Sequence, residues 1–105
     1  MSAAEPEYVF EEFRFSPARC VLTYRDKPVV LGSRAIGILA AMLERPREVI
    51  SKDELLAAVW PEVHVHESNI KVHMSGLRRA LREVSGRDDI VKTIPGRGYI
   101  FTPPV

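Results

Sequence analysis

The chain of 105 residues has a single cysteine, Cys20, which excludes an internal disulfide and fits a reducing compartment. No apolar run approaches the roughly 20 residues of a membrane-spanning helix. The N-terminus, MSAAEPEY, lacks the basic and greasy parts of a secretory signal. A cytoplasmic location is therefore expected. There is no P-loop, no nucleophile elbow and no paired-carboxylate signature, so the chain reads as a non-enzyme with no cofactor and no small-molecule substrate. Pro95-Gly96-Arg97-Gly98 is glycine-rich, but no helix follows it, which excludes a dinucleotide fingerprint. Internal repeats and low-complexity tracts are also absent.

What is present is an ordinary globular composition, 46% apolar and 28% charged, of a length that suits one domain. The net charge of +1 hides an asymmetry: residues 1–66 hold eight Lys/Arg against ten Asp/Glu, and residues 67–105 hold seven against four. The excess of positive charge lies in the C-terminal third, where it can concentrate on one face.

That third begins with ESNIKVHMSGLRRALREVSG, residues 67–86. Ile70, Met74, Leu77, Leu81 and Val84 recur at alternating steps of four and three, the spacing of a helix with one buried stripe. The opposite face carries Ser68, Lys71, Val72, Ser75, Arg79 and Arg82, with Arg78 on its flank. Four basic and no acidic residues lie between Ser68 and Arg82. A helix about 27 Å long with one apolar and one positive side needs a core and an anionic partner. DNA, an anionic membrane and an acidic protein all satisfy that requirement.

The rest of the chain supplies the core. Residues 1–7 read as a polar, disordered N-terminal segment and 8–105 as one domain. Aromatic and β-branched runs at 8–10, 13–16, 20–24 and 28–31, separated by turn residues, predict a four-stranded antiparallel meander. A first helix is expected over 34–44, with Ile36, Leu39, Met42 and Leu43 inward, and Gly37 inside it weakens the pattern. Val49-Ile50 reads as an apolar connector. Ser51-Lys52-Asp53-Glu54 has the pattern of a capping box and opens a second helix over 52–60 that buries Leu55, Leu56, Val59 and Trp60. Residues 61–67 form a short loop before the basic helix, so the two helices make a helix-turn-helix. Runs at 90–94 and 99–102 flank Pro95-Gly96-Arg97-Gly98 and predict a hairpin with an arginine at its tip.

This combination suits DNA. A helix about 10–12 Å across fits the roughly 12 Å major groove, and Lys and Arg at its rim neutralise phosphates. The hairpin can place Arg97 in the adjacent minor groove. At the exposed N-terminal part of the helix, Asn69 can read adenine, Lys71 can read guanine, and Val72 can meet a thymine methyl, with Ser68 and Ser75 beside them. The plainer readings are a solvated basic face, a polar loop tip at Arg97, a core anchor at Trp60 and an inert buried thiol at Cys20. His64, His66 and His73 are three imidazoles without a Cys or a fixed carboxylate pattern, so no metal site is assigned to them. His73 lies between the buried stripe and the exposed face, where packing or a phosphate contact suits it.

The segments LGSRAIGILAAML (31–43), VISKDELLAAVW (49–60), IKVHMSGLRRAL (70–81) and IVKTIPGRGYIF (90–101) carry a resemblance. Above all, V-H-x-x-x-L-R-R-x-L followed by V-x-T-x-x-G-x-G-Y resembles the OmpR/PhoB-type winged helix-turn-helix of bacterial transcription regulators. The resemblance implies an α+β fold with an N-terminal four-stranded antiparallel sheet, three helices and a C-terminal β-hairpin wing. It implies sequence-specific double-stranded DNA binding with recognition helix 67–85 in the major groove and wing 94–99 at the minor groove. It places Lys71, Val72, His73 and Arg78 in the DNA-facing motif and makes Thr93 a phosphate-holding wing threonine. It matches loop 61–67 to one that touches RNA polymerase in some members, and it implies head-to-tail pairs on DNA. Many members carry Arg where this chain has Ser75, Gly76 and Pro95. A winged helix that docks an acidic protein partner is the alternative these substitutions favour. The resemblance also places the domain at the head of a longer regulator or standing alone, since a receiver would precede it.

Overall fold

The computed structural model describes residues 7–60 and 68–103 (for Ser68 the backbone alone), and these residues form seven strands and three helices. They are β1 (Tyr8–Phe10), β2 (Phe13–Ser16), β3 (Val21–Tyr24), β4 (Lys27–Val29), α1 (Ser33–Leu43), β5 (Val49–Ile50), α2 (Lys52–Val59), α3 (Ser68–Ser85), β6 (Val91–Ile94) and β7 (Gly98–Phe101). The expected α+β winged architecture is present. Of the N-terminal segment 1–7, only Glu7 is among the described residues, and loop 61–67, with His64 and His66, lies outside them.

β1 to β4 form an antiparallel meander in chain order. Two of its turns have two residues, Glu11-Glu12 and Arg25-Asp26, all four with positive φ between 44° and 68°. Positive φ at both central residues matches the twist of the flanking strands and is usually supplied by Asn or Gly. Here the neighbouring turns brace each other. Arg25 donates from Nε and Nη2 to Glu12 Oε2 at 3.0 and 2.8 Å, and the Tyr24 hydroxyl donates to the same oxygen at 3.3 Å. The Arg25 hydrogen bond holds the Glu12 carboxyl below its ordinary range.

The inward face of this sheet carries Phe10, Phe13, Phe15 and Leu22, all buried. Phe10 stacks on Phe13 at 5.1 Å and meets Phe101 of β7 edge-on at 4.8 Å, which joins the N-terminal sheet to the hairpin. Between them lie Ala35, Ile38, Leu39, Met42 and Leu43 of α1, Leu55 and Val59 of α2, and Ile70, Met74, Leu77 and Leu81 of α3. The predicted stripe of α3 therefore holds for four of its five members. Val84 departs from it, 41% exposed.

The other departures are local. Cys20 is exposed, with φ of 55°, because it closes the turn before β3 instead of lying within the strand. The fourth strand is Lys27–Val29, and Val30 beyond it is 92% exposed. α1 is set one residue earlier than expected, with Ala35 and Ile38 inward and Ile36 half-buried. Gly37 is explained by proximity: a Cβ there would lie 3.2 Å from a methyl of Val59, so α1 and α2 pack closely at this point. Leu56 of α2 is half-buried, not buried.

The capping box forms as expected. Ser51 Oγ accepts from the Glu54 amide at 3.1 Å, and Glu54 Oε1 accepts from the Ser51 amide at 3.3 Å. Val49-Ile50 is more than a connector. As β5 it pairs with β7, Val49 opposite Ile100 and Ile50 opposite Tyr99, and makes a three-stranded sheet in the order β5-β7-β6. At Gly98, with φ of 145°, an added Cβ would stand 2.0 Å from the Ile50 carbonyl oxygen. Glycine is what allows the two backbones to meet there.

Candidate nucleic-acid interface

Because the core fixes the roll of α3, its opposite side faces solvent. Lys71, Val72, Ser75, Arg79 and Arg82 are exposed there, and Asn69 is half-buried. Val72 is 67% exposed, a large apolar side chain set among basic ones. An apolar contact in a partner suits it better than water does. The described backbone of Ser68 opens the helix.

The wing lies along one flank of this helix. Lys71, Met74, Ser75 and Arg78 of α3 and Thr93 and Tyr99 of the hairpin line one groove. Lys71, Ser75 and exposed Thr93 thus come together from residues 18 to 22 positions apart in the chain. A second cleft, lined by Ser51, Lys52, Asp53, Gly96 and Arg97, sets the wing tip beside the N-terminus of α2. Lys52 is thereby brought beside Arg97, with Asp53 in the same cleft. Nothing in its sequence context beyond the capping box marked it, and only the folded hairpin brings Arg97 to it.

Arg78, Thr93 and His73 of the sequence-derived set have internal partners. Arg78 is half-buried, donates from Nη2 to Thr93 Oγ1, and carries its guanidinium 5.6 Å from the centre of the Tyr99 ring. His73 is half-buried with its ring 5.8 Å from Trp60. Trp60 is the core anchor its position suggested, 8% exposed, and Arg34 lies over it at 5.3 Å while donating to the Val59 carbonyl at 2.9 Å. Arg34 was not evident as part of this region. It ties the end of α2, where the chain turns toward α3, back onto α1.

At the far end of α3, Arg87 pairs with Glu11 at 2.7 Å and with Asp89 at 3.0 Å. These carboxylates raise the Arg87 pKa, and Arg87 in turn holds Asp89 below its ordinary range. These charges neutralise one another away from the exposed cations of the helix face.

Residues 26–101 match the family model described as "Transcriptional regulatory protein, C terminal". The chain is 37% identical over 78 residues to the phosphate regulon transcriptional regulatory protein PhoB of Klebsiella pneumoniae, covering 73% of this chain and 34% of that protein. It is 35% identical over 94 residues to the cholera toxin transcriptional activator of Vibrio cholerae, covering 85% of this chain and 32% of that one. It thus spans about a third of the length of these curated relatives. Among solved structures, the DNA-binding domain of E. coli CadC superposes with a TM-score of 0.84 at 25% identity, over 98% of this chain and 96% of that one.

Proposed function

Because the chain belongs to the OmpR/PhoB-type family of transcriptional regulatory domains, we propose that it binds double-stranded DNA sequence-specifically as part of a transcription regulator. In this reading α3 enters the major groove and wing 94–99 meets the adjacent minor groove. The observation that carries it is the groove between α3 and the wing, where Lys71, Ser75 and Thr93 converge beside the exposed arginines of the helix.

The roles divide by position. Arg79 and Arg82, exposed on the helix, neutralise phosphates, and Lys71 and Thr93 hold the phosphate strand that runs between helix and wing. Lys71 reaches that groove, so a phosphate suits it better than the guanine edge the sequence suggested. Ser68, Asn69, Val72 and Ser75 face the bases, with Val72 against a thymine methyl. His73, held beside Trp60, lines the α2 side, and Arg97 enters the minor groove. On direct repeats two copies are expected to bind head to tail. A contact with RNA polymerase through 61–67 would rest on residues outside those described.

The test is selection of bound sites from a random duplex pool, followed by titration of the selected and random duplexes at several salt concentrations. Binding should fall steeply with salt and favour the selected site by a factor of at least about 10³. A winged helix that docks an acidic protein would show the salt dependence without the sequence preference. Lys71→Ala should weaken all duplexes alike. Relaxed specificity at one base pair would restore the guanine-reading role instead.

A further inference from the structure

We propose that Arg78 is a positioning residue, which fastens the wing to the recognition helix before any DNA is present. The inference rests on the DNA-binding reading above for its consequence, but not for its geometry.

Thr93 and Tyr99 face each other across the hairpin as one cross-strand pair, and the next pair, Ile94 with Gly98, is the last before the tip. Arg78 touches both members of that pair, Thr93 through a hydrogen bond and Tyr99 through the face of its ring. One guanidinium therefore grips both strands one rung below the turn that carries Arg97. On its other side β7 is held by main-chain pairing to β5, at Ile50 opposite Tyr99. The rung is pinned from both directions.

The donor pattern argues against a simple DNA contact. Arg78 Nε is fully shielded from solvent and has no hydrogen-bond partner among the described residues. The side-on fork of Nε and Nη2, which would grip a base edge or a phosphate, is therefore closed off in the DNA-free chain, with Nη2 bonded to Thr93 and Nε shielded. A solvated arginine would not leave a donor buried and unmatched, which is unfavourable. Here that cost is offset by the flat guanidinium lying over Tyr99 while it donates to Thr93. A lysine ammonium cannot make both contacts at once.

The test is amide hydrogen exchange in the DNA-free chain, read at Arg97, whose N–H donates to the Ile94 carbonyl at 3.0 Å across the wing turn. Arg78→Lys keeps the charge and Thr93→Val keeps the shape. Each should speed exchange at Arg97 on the order of tenfold and leave the α1 amides unchanged. The double variant should exchange no faster than the faster single one, because both remove one contact. Equal acceleration in α1 and the wing would mean general destabilisation and would overturn the proposal. So would Arg97 protection unchanged in both variants.

On the selected duplex, Arg78→Lys should lose hydroxyl-radical protection of the minor groove at the wing and keep the protection given by α3. Loss of all protection with unchanged exchange would make Arg78 a direct contact, sinking the proposal and leaving the interface intact. Faster wing exchange in a protein that binds no DNA would do the reverse.

Discussion

At the scale of single residues, the exposed side of α3 is shaped by small side chains as well as charged ones. Gly76 stands in mid-helix, exposed, and a Cβ added there would meet nothing within 4 Å. Packing does not require glycine at this point, and its backbone freedom disfavours the helix. Gly76→Ala is therefore expected to raise stability by about 0.5–1 kcal/mol, read as a higher urea midpoint at unchanged slope. Arg79 is exposed on the same helix, beyond the wing groove. Arg79→Ala should weaken every duplex alike and reduce the slope of log affinity against log salt by about 1, checked by titrations at several salt concentrations. Residue-level reading from the chain separates here into two kinds. The inward Ile70, Met74, Leu77 and Leu81 were legible because burial on a helix is periodic. The exposure of Cys20 and the internal engagement of Arg78 were not, because a backbone turn sets the one and a residue 15 positions away sets the other.

At the scale of elements, the hairpin is placed by a strand of two residues. Val49-Ile50 is too short for any alternation to register in the sequence, yet it pairs with β7 and seats the wing sheet on the body. The seat depends on the Gly98 backbone lying against the Ile50 carbonyl. Gly98→Ala is expected to cost about 3 kcal/mol or more, by combining a steric clash with a positive φ that alanine adopts poorly. Thermal unfolding checks the loss, and DNA binding should fall with it because the wing would lose its place. By contrast, α2 was readable almost to the residue, since its capping box is a local pattern completed within four positions.

At the scale of the whole molecule, ion pairs tie segments that the core alone leaves apart. Glu12–Arg25 joins the two hairpin turns of the N-terminal sheet, and Arg87 reaches from the end of α3 to both Glu11 and Asp89. Glu12 and Asp89 are held below their ordinary range, chiefly by their arginine hydrogen bonds. A carboxyl whose folded pKa is depressed stabilises the fold above its unfolded pKa, and that contribution disappears as pH falls through the folded pKa. Stability should thus decline from neutral pH toward pH ~3, the region where unfolded carboxyls protonate. The decline should be shallower in the Glu12→Gln, Asp89→Asn double variant, as read by urea melts at both pH values. High salt should also shrink the difference between the two proteins, because these pairs are exposed and screened.

The amino-acid sequence by itself determined the three helices and every strand but Val49–Ile50, and that one helix presents a positive face. Those properties depend on neighbours three or four positions away, and the chain carries them wherever it lies. The tertiary structure alone decided which cations remain on the surface and which one grips the wing, and that a two-residue strand would seat the hairpin. Those outcomes depend on partners brought together from distant parts of the chain, Arg78 with Thr93 and Val49 with Ile100, through a core that no local pattern describes.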